Sequence, residues 1–200
     1  MKHQGFAAPL LAIGDGALGF WNALDAVFPG VKQQLRWKHK LANVLDKRPN
    51  RLQGQAKAQL HEIMYAPDRE TATGEIELFM ELYEAKYPKA VTSLVSNQDR
   101  LLTFLDFPAE HWVHLRTTNP IESTFGTVKA RTKKTRGAGS RAAGLAMAFK
   151  LIEAAEQRWR RVNAPQLVAA VLHGIEFRDG VRVTPRRVAG DSPAQEEIAA

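Results

Sequence analysis

The chain has no cysteine. Disulfides and thiolate metal sites are therefore excluded, and the composition fits a reducing compartment. It has no apolar run long enough to span a membrane, and no convincing cleavage site follows the short apolar stretch near the N-terminus, so neither a transmembrane span nor a targeting segment is expected. The first fourteen residues contain no acid, and no internal repeat is evident. What the chain does have is positive charge. Twenty-eight Lys and Arg against twenty-one Asp and Glu give a formal +7, with an isoelectric point near 9.8. That balance favours a polyanionic partner. At 200 residues and 44% hydrophobic content, the chain is long and apolar enough for one sizeable core.

The most informative stretch is RTTNPIESTFGTVKARTKK, Arg116 to Lys134. It opens as a helix start: Asn119 suits the N-cap, Pro120 the first helical position, and Glu122 the third, where it can bond back to the cap. Glu122 admits a second reading. Glu122, Phe125, Lys129 and Thr132 or Lys133 recur at helical spacing, so a carboxylate shares a face with cations two turns on. Arg131, Lys134 and Arg136 broaden that positive field. One carboxylate beside several cations suits a metal ion next to a bound polyanion.

Upstream, Pro9 to Gly14 reads as a short buried strand ending at Gly14-Asp15-Gly16. It either delivers Asp15 to a strand end, where ligand chemistry in open α/β sheets sits, or simply makes an Asp-Gly turn. Leu18 to Val27 predicts a helix stopped by Pro29-Gly30, and Val31 to Trp37 a second strand. Helical stripes then dominate from Arg51 to Leu105: Leu60, Ile63 and Met64; Ile76, Phe79, Met80, Tyr83 and Tyr87; and Val91, Leu94, Val95, Gln98, Leu101, Leu102 and Leu105. Pro67 and Pro88 mark breaks between them. His111 and His114 are read as structural or DNA-facing, and Trp112 as packed. Ser140 to Val162 predicts a helix with Leu145, Phe149, Ile152 and Trp159 inward. The residues after Val183 lack periodicity and read as a loose tail.

Three stretches together resemble the Mutator-type bacterial insertion-sequence transposases, a DDE family: GDGALGFWNALDAVFPGVKQQLRWKHKLANVL, YPKAVTSLVSNQDRLLTFLDFPAEHWVHLRTTNPIE, and RTTNPIES running into VKARTKKTRGAGSRAAGLAMAFKLIEAAEQRWRR. The resemblance is collinear from Ala12 to Val183. It implies an α/β, helix-dominated fold: a partial RNase H-like catalytic core interrupted by an all-helical insertion. The implied segments are residues 1–37 as a partial core with the Asp15 strand, 38–107 as the insertion, 108–183 as catalytic-core helices, and 184–200 as a flexible tail. Asp15 matches the family's second catalytic acid and Glu122 the third. Such acids hold Mg²⁺ or Mn²⁺ for cleavage and strand transfer of DNA. Lys129, seven residues beyond the Glu, matches a position that often holds DNA, and Lys133, Lys134, Arg131 and Arg136 extend that surface.

The chain departs from the family twice. Arg36 stands where the family usually has Cys or Asp, two residues before a His that is present here as His39. No acid precedes Asp15, where the family's first catalytic acid would lie. The resemblance thus implies a truncated transposase that acts on transposon ends and target DNA, inactive alone. The alternative is a non-catalytic DNA-binding or regulatory fragment that acts on full-length transposase. Self-association, a cytoplasmic location and attachment to the nucleoid when DNA-bound accompany either reading.

Overall fold

The computed structural model describes residues 5, 7–117, 120–134, 139–159 and 161–184; side chains are described for these except at residues 120–124. Two short strands, β1 (Leu11–Gly14) and β2 (Lys32–Leu35), pair in parallel around a crossover helix, α1 (Leu18–Val27). The register runs Leu11 opposite Lys32 through Gly14 opposite Leu35. Among the described residues β1 pairs only with β2. Trp21 on α1 is fully buried, and Gly14 makes room for it: a Cβ at Gly14 would lie 3.2 Å from the indole Cζ2. This βαβ unit is the α/β part of a helix-dominated chain.

The helices that follow are α2 (Trp37–Leu45), α3 (Gln53–Tyr65), α4 (Arg69–Tyr83), α5 (Pro88–Val95) and α6 (Gln98–Leu102). The expected stripes form one continuous core. Leu60, Ile63, Met64, Ile76, Phe79, Val91, Leu94, Leu101, Leu102 and Leu105 are all buried in it, joined by Trp37 and Val44. Pro67 falls between α3 and α4, and Pro88 is the first residue of α5, where a missing N–H costs nothing. Asp68 caps α4 by accepting from Thr71 N at 2.7 Å. Lys40 is buried among α2 and α5, and its ammonium donates to Ser93 O at 2.8 Å. Burial pushes its pKa down.

The chain then turns through α7 (Trp112–Arg116) into α8 (Pro120–Lys134), α9 (Arg141–Glu156) and α10 (Gln166–Leu172). Trp112 packs as expected: it is buried against Phe104, edge to face, with its indole N–H on Phe107 O. His111 and His114 reach the 163–164 connection. Nε2 of His111 lies 3.3 Å from Ala164 O, and Nε2 of His114 accepts from Asn163 N at 3.2 Å. One expectation fails. Leu145 and Phe149 of α9 were expected inward, yet they are 64% and 63% exposed, and Trp159 is exposed too. α9 packs along α8, and among the described residues none of its own is fully buried, although Ile152 of the expected stripe is half-buried.

A final antiparallel hairpin, β3 (Phe177–Arg178) and β4 (Val181–Arg182), closes on Asp179-Gly180, both with positive φ. This is the turn chemistry of a two-residue hairpin. It docks on the start of α4 and on residues 105–109: Gly180 N donates to Leu105 O at 3.1 Å, Ala109 N donates to Gly180 O at 3.2 Å, and Arg69 N donates to Asp179 Oδ1 at 2.9 Å.

Candidate active site

The site grows out of the strand register. Because Gly14 lies opposite Leu35, the next residues, Asp15 and Arg36, leave the C-terminal ends of two parallel strands side by side; Arg36 N donates to Gly14 O at 3.0 Å. Their side chains meet as a fork. Arg36 Nε donates to Asp15 Oδ1 at 2.7 Å, and Arg36 Nη2 donates to Asp15 Oδ2. His39, one turn into α2, sets Nδ1 3.9 Å from Asp15 Oδ1. From below, the Trp21 indole N–H donates to the main-chain oxygen of Asp15 at 2.8 Å. Asp15 therefore sits at a strand end, as expected, and it is held by its backbone and by both carboxylate oxygens.

The electrostatics follow from that geometry. The hydrogen bonds from Arg36 hold the Asp15 carboxyl below its ordinary range; burial opposes this, and the charges of Arg36 and His39 add to it. The pair is part-buried, so water screens it less than a surface ion pair. Charge-assisted, two-point pairing of this kind is the strong form of a carboxylate contact.

Glu122 lies in the first turn of α8, which begins at Pro120 as the capping pattern predicts. Its side chain, Asn119 and Arg136 all lie outside the described residues. The rest of the basic set is in view. Lys129, Arg131, Lys133 and Lys134 are all exposed on α8, the last three in its final turn, where cations complement the helix dipole. Arg116 leads into this helix from a half-buried position. Its Nη1 donates to Met64 O at 2.7 Å, and its guanidinium lies over Tyr65, Phe104 and Trp112. It thereby ties α7 to the end of α3. Neither the role of Arg36 nor that of Arg116 was read from the sequence.

As arranged, Asp15 does not fit a divalent ion, since both its oxygens face a guanidinium. Among the described residues no three His, Asp or Glu side chains gather as a ligand set.

The described residues thus set an acid at a parallel-strand end, followed along the chain by a helical block and a basic helix. The chain belongs to the Mutator family of transposases: the model of that family, "Transposase, Mutator family", matches residues 1–162. It is 56% identical over 179 residues to the transposase for insertion sequence element IS6120 of Mycolicibacterium smegmatis, covering 90% of this chain and 55% of that protein. It is 50% identical over 174 residues to the transposase for insertion sequence element IST2 of Acidithiobacillus ferrooxidans, covering 87% and 59%. A more distant relative is the transposase for insertion sequence element IS905 of Lactococcus lactis, 32% identical over 134 residues, covering 67% and 34%. The chain thus spans little more than half the length of the first two relatives.

Proposed function

We propose that this chain is the portion of an insertion-sequence transposase that carries two of its catalytic acids, Asp15 and Glu122, and part of its DNA-binding surface. In this reading the βαβ unit is a piece of an RNase H-like core, and α2 to α6 are its helical insertion. The observation that carries the DNA assignment is the run of exposed cations on α8, Lys129, Arg131, Lys133 and Lys134, on the same helix as Glu122. Phosphates attract such a surface whatever the base sequence. The family resemblance implies Mg²⁺ or Mn²⁺ at these acids, an ion that Asp15 as paired with Arg36 does not accept.

The 200-residue polypeptide by itself binds DNA without cutting or joining it. The pairing of Asp15 with Arg36 supports this, because the carboxylate is already engaged by a cation of the protein's own. It also favours a second role, in which the chain occupies DNA ends or full-length transposase without turning over. The test is incubation of the polypeptide with Mg²⁺ or Mn²⁺ and labelled transposon-end DNA. A retarded complex with no product is expected. Specific nicking or strand transfer would refute the inactivity, and no complex at low salt would refute the DNA surface.

A further inference from the structure

The arrangement at Asp15 raises a question of its own: what the guanidinium is doing on a carboxylate that the family reading assigns to a metal ion. We propose that Arg36 is a built-in competitor for the divalent cation at Asp15, so that a metal ion gains this acid only by displacing the guanidinium. The inference rests on the reading of Asp15 as a metal ligand.

Three observations carry it. The contact is two-pronged, with Nε on Oδ1 and Nη2 on Oδ2, so neither carboxylate oxygen is left without a cationic donor. It is dictated by the fold, because the parallel register that sets Gly14 opposite Leu35 places the two residues side by side. It is also partly sheltered: the Arg36 side chain is 19% exposed and that of Asp15 34%, so water screens it less than it would a fully exposed pair. A guanidinium cannot shed its charge near neutral pH, so the competition is not relieved by losing a proton. A neutral or acidic residue at this position would leave Asp15 open to a metal, whereas Arg36 sets a threshold that the metal concentration has to exceed.

Trp21 supplies a local reporter, since its indole N–H bonds the main-chain oxygen of Asp15. Mn²⁺ held by the carboxylate would broaden that proton's NMR signal by paramagnetic relaxation. The experiment titrates MnCl₂ into the 200-residue chain, at one pH and without DNA, and follows the four indole signals. The chains compared are the wild type, Arg36→Gln, Arg36→Lys, Asp15→Asn and the double variant Arg36→Gln/Asp15→Asn. Arg36→Gln is expected to reach half-broadening of the Trp21 signal at an Mn²⁺ concentration lower by about fivefold or more. Arg36→Lys keeps the charge but loses the fork, and should fall between it and the wild type. Both gains should vanish with Asp15→Asn.

If Asp15→Asn abolishes broadening while the Arg36 variants match the wild type, Asp15 is a ligand and the competition is overturned. Broadening that is indifferent to Asp15→Asn in every background overturns the ligand reading itself, and this inference with it. Should Arg36→Gln lose its dispersed indole signals through unfolding, Arg36→Lys carries the test alone. An unchanged midpoint for it then overturns the proposal.

Discussion

The buried amide of Gln34 is bonded to the main chain of Phe104. Its Oε1 accepts from Phe104 N at 2.7 Å, while its Nε2 donates to Leu35 O and Leu101 O at 2.7 and 3.1 Å. Seventy residues apart, the second strand and the turn that follows α6 are thus joined by one side chain, fully shielded from water. Replacing it by Ala leaves the Phe104 N–H without a partner. Leu101 O keeps the indole of Trp37 at 3.0 Å. Gln34→Ala should therefore destabilise the chain by about 2–4 kcal/mol, from an orphaned donor and a cavity together. Urea denaturation followed by circular dichroism measures this, and a loss under about 0.5 kcal/mol would mean the link contributes little.

Gly180 has no room for a side chain. Its φ is +78°, and a Cβ there would stand 2.6 Å from Ala109 Cβ and 2.8 Å from Trp112 Cζ2. Gly180→Ala should cost about 2–4 kcal/mol, combining left-handed backbone strain with overpacking. Gly126→Ala makes a good control, since nothing lies within 4 Å of a Cβ at Gly126, inside α8. It should be neutral or slightly stabilising by helix propensity. Thermal melts of the two variants side by side separate these outcomes.

The depressed pKa of Asp15 gives a pH dependence with a definite sign. A carboxyl whose folded-state value lies below its unfolded value adds stability above the unfolded pKa, about 3.9. That stability is lost as pH falls through the lower folded value. Arg36→Gln removes the main cause of the depression. The variant should be less stable than the parent at neutral pH, and the gap should close in acid. Carboxyl-carbon NMR titration of Asp15 should show its pKa move upward in the variant. A gap that widens in acid would contradict the linkage.

The basic face of α8 is tested by salt. If Lys129 and Lys133 each neutralise a phosphate, Lys129→Gln and Lys133→Gln should each weaken DNA binding and flatten the log affinity against log salt slope by about 1. The loss should be uniform across DNA sequences, because phosphate contacts carry no base information. Glu122→Gln should leave binding within about twofold, as it removes no contact to phosphate. Fluorescence anisotropy over a salt series is sufficient; a slope unchanged in both Lys variants would remove α8 from the DNA surface.

Which features could be read in advance follows from the range of the forces behind them. The helices α1 and α3 to α5 were legible because apolar residues recur at helical spacing and Pro67 and Pro88 mark the gaps. The strand closed by Gly14 was legible from a short apolar run, but the residues alone left Asp15 open between a strand-end acid and an Asp-Gly turn, and only the family resemblance favoured the former. The fork from Arg36 was not, since it depends on the register between two strands with a helix between them, and no local pattern encodes that. The hairpin at 177–182 carries a local signal, Asp179-Gly180, but its strands are only two residues each, too short for an alternating pattern to mark them. The stripe on α9 was seen correctly as a stripe, but periodicity says only that a face is apolar and not what lies opposite it.

The bond from Arg69 N to Asp179 also bears on how the molecule is made. A ribosome delivers the N-terminal residues first, and domains generally form in that order as they emerge. The helical block can condense early, since α3 and α4 are neighbours in sequence. The clasp on the start of α4 arrives 110 residues later. Translation that halts before the hairpin would release a chain with its main core formed and this last fastening missing.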